Sequence, residues 1–173
     1  NALDVPARLS GPTLEHLAGT DQLGRDTLSR ILYGGRVALY IAAIGVSVSL
    51  VIGLILGMIA GFGPRWLDNL LLLLFDTVRA FPTIVLALAT VALTGPSLGM
   101  VLAIVIVTSI PQYARVARTA TLTLKNTDFI LAERSLGAST PRILLHHIMP
   151  NVIGPLMILA AMEVPVVVTV EAG

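Results

Sequence analysis

The chain has 173 residues, 55% of them hydrophobic and only 12% charged, with a mean hydropathy of +0.90. A soluble domain carries about 25% charged residues, so this composition excludes one and marks an integral membrane protein. A formal net charge of +1 gives no basis for binding nucleic acid, and without cysteine the chain can build neither a disulfide framework nor a thiolate site.

Residues 1–36 are read as an extracytoplasmic segment leading into the first span, and 37–173 as a transmembrane core. From Val37 to Gly61 there is no charged side chain. As a helix this stretch is about 37 Å long, enough to cross a hydrocarbon core of about 30 Å. Gly45, Ser49, Gly53, Gly57 and Gly61 recur every fourth residue and form one stripe of small side chains, against which another helix can approach closely. The approaching helix is either one of this chain's own or one of a partner subunit.

Leu67 to Leu93 is too long for a single straight span. Its first turns are expected to project into the cytoplasm, with Asp76 and Arg79 neutralising each other, and Phe81-Pro82 predicts a kink before the apolar run Thr83 to Leu93. A third span is centred on Met100 to Ile110 and continues as a polar helix, Gln112 to Lys125, on which Arg115 and Arg118 are expected to reach lipid headgroups. A fourth begins after Pro150 or Pro155 and runs to about Val170. It contains Glu163, either a functional ionisable group at depth or one left near water by an early end of the span. Arg115, Arg118, Lys125, Arg134 and Arg142 cluster between residues 115 and 142, which assigns that stretch to the cytoplasm. Thr94 to Gly99 has no basic residue and is assigned to the opposite side.

Between the third and fourth spans lies the most informative run, residues 126–141. Asn126, Thr127 and Asp128 are good N-caps, the following nine positions tolerate helix, and Gly137 suits the position just past a helix end. Thr140 would cap the next helix, with Pro141 at its first position. Gly137, Ala138 and Ser139 thus join two helices at a tight corner, and Ala132, Ser135, Gly137 and Ala138 keep its surface shallow enough for a partner's groove. His146 and His147 are adjacent, and neighbours on a helix point about 100° apart, which argues against a shared metal ion.

The run Phe129-Ile-Leu-Ala-Glu-Arg-Ser-Leu-Gly-Ala-Ser139, with Pro150 in His147-Ile-Met-Pro-Asn151, resembles the EAA loop of binding-protein-dependent ABC importer permeases. Ala132, Gly137 and Pro150 match the pattern. Leu131 stands where Glu is usual, and Glu133 where the second Ala is usual. His16-Leu-Ala-Gly-Thr-Asp-Gln-Leu-Gly-Arg-Asp-Thr-Leu-Ser-Arg30, followed by Tyr33-Gly-Gly-Arg36, is similar to the stretch before the second membrane helix of the "C" type permeases of dipeptide, oligopeptide and nickel importers.

The resemblance implies an all-α membrane bundle of the type I importer permease fold, with about four spans here and one further helix on each side of this stretch. It implies a multi-pass protein of a prokaryotic inner membrane that forms half of a pore with a second permease, as a heterodimer. The corner residues Asp128, Leu131, Ala132, Glu133, Ser135, Leu136, Gly137, Ala138 and Ser139 would rest on an ATP-binding ABC subunit, and an extracytoplasmic substrate-binding protein would deliver cargo near Gly95 to Gly99 and Thr20 to Arg30. ATP and Mg would bind those partner subunits, and no cofactor this chain. In keeping with that, the sole lysine, Lys125, lacks the glycines of a phosphate-cradling loop. A secondary transporter or channel built on Pro82, Pro111 and Glu163, and a membrane scaffold, are the competing classes.

Overall fold

The computed structural model describes residues 8–95 and 97–172, with side chains to residue 168. Residues 1–7 of the expected leading segment, and Pro96 within the turn expected at Thr94 to Gly99, lie outside the described residues. The described chain is helical: α1 (Thr27–Phe62), α2 (Arg65–Arg79), α3 (Thr83–Thr94), α4 (Leu98–Lys125), α5 (Asp128–Ser135), α6 (Thr140–Ile143) and α7 (Met149–Ala172), with a π-helical turn, Leu144–Ile148, joining α6 to α7. Three helical stretches are long and apolar enough to cross a membrane, or four if the bent pair α2 and α3 is one span.

The first span starts ten residues earlier than the apolar run suggests. Asp26 caps α1, its carboxylate accepting the Ser29 N–H at 2.8 Å, and Arg30 and Arg36 continue the helix where they were expected to precede it. With 36 residues α1 is about 54 Å long, so part of it stands clear of any hydrocarbon core. Its cap is built into a tight loop. Asp21 accepts the Leu23 and Arg25 N–H groups at 2.8 and 3.0 Å and pairs with Arg30, while Thr20 and Asp26 form an antiparallel bridge.

The stripe of small residues on α1 lies against α4 of the same chain. Residues 45, 53, 57 and 61 face 105, 113, 117 and 121, a constant offset of 60, so the two helices run side by side in the same direction. A Cβ on Gly57 would sit 2.3 Å from the Ala114 carbonyl oxygen and 2.5 Å from the Ala117 Cβ, and one on Gly53 2.4 Å from the Tyr113 Cβ. Only glycine admits this spacing. Ser49, wholly buried, places its hydroxyl 2.7 Å from the Gly45 carbonyl and 3.2 Å from that of Ile106, tying the backbones across the seam. On α7, Val152, Leu156 and Ala160 continue the four-residue step of Ile148 and pack into the same core.

Between α2 and α3 the chain turns by 72° at Ala80–Pro82, a break where only a kink was expected. The α2 helix is held by two means. Leu71 and Phe75 pack on Ala60 and Ala114, and Asp68 receives a forked pair of hydrogen bonds from Arg118 at 2.5 and 2.6 Å. Asp76 pairs with Arg115, not with Arg79. These contacts correct the expectation that Arg115 and Arg118 reach out to lipid: α2 brings carboxylates within reach of both, Arg118 in a part-buried pair and Arg115 in an exposed one.

The last span also begins early, at Thr140 instead of after Pro150. Pro150 has no N–H to give, and its ring would collide with the His146 carbonyl in a regular helix. The preceding turn widens instead: the Met149 N–H reaches the Leu144 carbonyl, five residues back, and the helix continues without a break.

Three outcomes follow from this packing. Gly57→Leu should cost about 3 kcal/mol or more by driving α1 from α4. Gly154→Ala, where a Cβ meets nothing within 4 Å, should be neutral or slightly stabilising; SDS-unfolding titrations of the two variants check both. In a double-mutant cycle, Asp68→Asn and Arg118→Gln should couple by about 1–2 kcal/mol in the same titration. The Asp21 carboxyl is held below its ordinary value of 3.8, chiefly by the Arg25 N–H, and Asp26 below the same value by Ser29. Depressed carboxyls contribute stability above the unfolded value and lose it as pH falls through the folded one. Proteolysis within residues 8–26 should therefore stay flat from neutral pH down to about 4 and rise only below it.

Candidate functional site

The corner is assembled from α5, the link 136–139 and α6. Thr127 is the N-cap of α5 by backbone conformation, but its hydroxyl donates to the Leu124 carbonyl at 2.6 Å and leaves the first turn of α5 without a side-chain cap. At the other end Leu136 closes the helix and Gly137 takes a φ of +84°. The Ala138 N–H bonds the Glu133 carbonyl and the Gly137 N–H bonds that of Arg134, both at 3.0 Å. This is a paired six-to-one and five-to-two closure, which demands a left-handed residue at Gly137. The next helix has Ser139 at its N-cap position, without a side-chain cap, and Thr140 first and Pro141 second, one residue earlier than the sequence suggested.

One side of α5 is fixed to the membrane bundle. Ile130 is completely buried in the main core. Arg134 stacks over the Phe62 ring, 4.5 Å from its centroid, and the Phe129 ring lies 6.4 Å from that of His147. Lys125 donates to the Gly61 and Phe62 carbonyls at 3.3 and 3.0 Å, so the end of α4 supplies the cation that the C-terminus of α1 lacks. Neither Ile130 nor Phe62 stands out in the sequence: Ile130 is the middle of the apolar triplet Phe129-Ile130-Leu131, and nothing local says which of the three is buried.

The other side of α5 is bare. Leu131 is 46% exposed and Leu136 85% exposed, and Asp128, Ala132, Ser135, Gly137 and Ser139 are exposed with them. Nothing lies within 4 Å of a Cβ built on Gly137. Ala138 turns partly inward and packs against the core. The displaced acidic group turns inward too: the Glu133 carboxylate lies 3.7 Å from His147 Nε2, on the π-helical turn. The outward position that carries an acid in the resembled pattern is thus occupied by an apolar side chain. His146 directs Nδ1 to the Arg142 carbonyl at 3.2 Å, so the two neighbouring imidazoles diverge.

Glu163 stands apart from the corner. It borders a cavity of about 330 Å³ beside the break between α2 and α3, together with Arg79, Pro82, Ser109 and Gln112.

Residues 53–172 match the family model described as the binding-protein-dependent transport system inner membrane component. A dipeptide transport system permease protein of Alkalihalophilus pseudofirmus is 41% identical over 155 residues, which is 90% of this chain and 51% of that protein. A di/tripeptide transport system permease protein of Pseudomonas aeruginosa is 41% identical over 93% of this chain and 53% of its own length. A glutathione transport system permease protein of Pectobacterium atrosepticum is 38% identical over 95% of this chain and 54% of its own. The chain therefore spans about half the length of the curated relatives it matches. Among solved structures, an amino acid ABC transporter with histidines superposes with a TM-score of 0.55 at 18% identity, covering 86% of this chain and 74% of that one, a likeness of fold alone. By its matched residues and the identity of these relatives, the chain belongs to the inner membrane component family of binding-protein-dependent transport systems, as a multi-pass α-helical membrane protein.

Proposed function

We propose that this chain is part of the membrane-spanning subunit of an ATP-driven importer of short peptides or a related small solute. The observation that carries the reading is the corner at Gly137, bare outside and anchored inside through Ile130, Arg134 and Lys125. A surface of this kind accepts a push from a partner and passes it to the helices behind it. Residues 126–141 are the coupling element, resting on a separate ATP-binding subunit that holds ATP and Mg and does the hydrolysis. The basic residues of this end support a cytoplasmic position for it. Residues 1–36 belong to the outer side, where a substrate-binding protein delivers cargo, and a second permease completes the pore as a heterodimer in the prokaryotic inner membrane. The names of the relatives, permeases for dipeptides, di/tripeptides and glutathione, support peptides as the cargo class.

The seat on the ATPase is apolar and shallow. Leu131 and Leu136 face outward with Ala132 and Ser135 between them, while Glu133 is occupied with His147. Packing against a groove supplies most of the contact, with Asp128 the carboxylate left exposed at the start of the helix.

The test uses the full-length permease assembled with its partners. Gly137→Trp should lower ATP-driven peptide uptake at least about tenfold while the bundle still folds, since the side chain projects into open space. Gly137→Asn, which tolerates the left-handed conformation, should retain most of it. Ala132→Cys should crosslink to the ATPase subunit. Full uptake by Gly137→Trp together with no crosslink from Ala132→Cys rejects the coupling role, and uptake in ATP-free vesicles driven by an ion gradient replaces it with secondary transport.

A further inference from the structure

The cavity at the α2–α3 break holds two opposite charges that do not meet. Arg79 ends α2 and Glu163 lies on α7; both border the same space, and among the described residues neither has an ion-pair partner within 4 Å. The carboxylate expected to neutralise Arg79, that of Asp76, is taken by Arg115. Glu163 Oε2 is sealed from solvent without completing a hydrogen bond. Tyr113, wholly buried on α4, brings its hydroxyl towards the same carboxylate, and that hydroxyl also completes none.

A carboxylate at membrane depth that has a tyrosine hydroxyl beside it but no ion-pair partner among the described residues is costly to keep, and such a group is functional by default. Ser109 and Gln112, groups able to donate and accept, line the same space. Pro82 and Thr83 bring the first turn of α3, with its unpaired N–H groups, to the same space as Arg79. The cavity therefore presents an anionic wall on α7 and a cationic wall at the α2–α3 break, with amide-like chemistry between. At about 330 Å³ it lies at the lower end of small-molecule sites, which run roughly 300–1,000 Å³.

Resting on the transport reading above, we infer that this cavity is a cargo site for a short peptide with free ends, Glu163 receiving the ammonium group and Arg79 with the first turn of α3 receiving the carboxylate. Gln112 and Ser109 meet the peptide bond. The site reads charge spacing, not side chains, and so suits a path that must pass many sequences.

The experiment uses the assembled full-length transporter in nanodiscs, without the external binding protein, so that any selection seen belongs to the membrane subunits. The chain has no cysteine of its own, and Thr108→Cys places a reporter thiol on the cavity wall. Ala-Ala should slow modification of that thiol by N-ethylmaleimide roughly threefold or more, whereas N-acetyl-Ala-Ala-amide should not. Glu163→Gln added to the reporter should abolish protection by Ala-Ala, Glu163→Asp should keep part of it, and Arg79→Gln should erase the preference for Ala-Ala over Ala-Ala-amide. Equal protection by the doubly blocked peptide, undiminished protection in Glu163→Gln, or a thiol that neither reacts nor is protected overturns the assignment. The crosslink from Ala132→Cys is read on the same preparation. Its loss with protection intact removes the ATPase coupling and leaves the cavity; its presence without protection does the reverse.

Discussion

Everything in this bundle depends on how closely the backbones of α1 and α4 approach. In lipid, an apolar side chain gains almost nothing by leaving the bilayer for a protein interior, so helices are held by dispersion contact and by hydrogen bonds across the seam. Both grow when backbones come near. Gly53, Gly57 and Gly61 allow Tyr113, Ala114, Ala117 and Arg118 to lie almost on the α1 main chain, and Ser49 adds a polar tie at the same seam. The constant offset along the pair then fixes register without freedom to slide. A slip by one residue would face side chains against Ala114 and Ala117 where no space exists.

That register decides what happens at the basic end. Because residue 61 is matched with 121, Lys125 arrives one turn beyond the end of α1 and finds its last carbonyls, and Phe62 becomes the platform on which Arg134 stacks. The same register sets Arg118 and Arg115 on the side of α4 that α2 covers, where Asp68 and Asp76 meet them. One consequence is that Arg79, at the break, has no ion-pair partner among the described residues. The cluster of basic residues is thus partly internal wiring of the bundle, and only part of it is a label for membrane orientation.

Much of this was legible in the chain itself because membrane helices announce themselves by length and composition. The spans, the four-residue stripe of small residues and the Gly137 corner all follow from local rules, whether hydropathy, side-chain size or the left-handed requirement of one helix end. What was not legible depended on pairing between distant segments. Asp76 and Arg79 are neighbours on one helix face, yet Arg115, 39 residues away in sequence, supplies the partner; nothing in local spacing distinguishes the two. Asp68 was overlooked for the same reason. The start of α1 is hidden because charged residues end an apolar run without ending a helix, and that of the last span because Pro150 suggests a beginning while a widened turn lets it sit inside.

The displaced acid shows how a local sequence departure can leave a surface intact while changing its chemistry. Moving a carboxylate from position 131 to 133 rotates it by about 200° around the helix, from the bare side of α5 to the side facing the π-helical turn. There Glu133 meets His147, and the ring of Phe129 meets the same imidazole. His147 is carried by a turn that exists because Pro150 follows it. Two positions that the family pattern treats as separate, the acid and the distant proline, are here joined in one cluster at the inner side of the corner. The corner gains a further anchor beside Ile130, Arg134 and Lys125, and loses an outward charge at position 131. On the proposed coupling role, a push on Leu136 or Ala132 meets a corner held to α1 by Arg134 on Phe62, to the core by Ile130 and to the π-helical turn by Glu133 and His147, and is passed to the helices behind it.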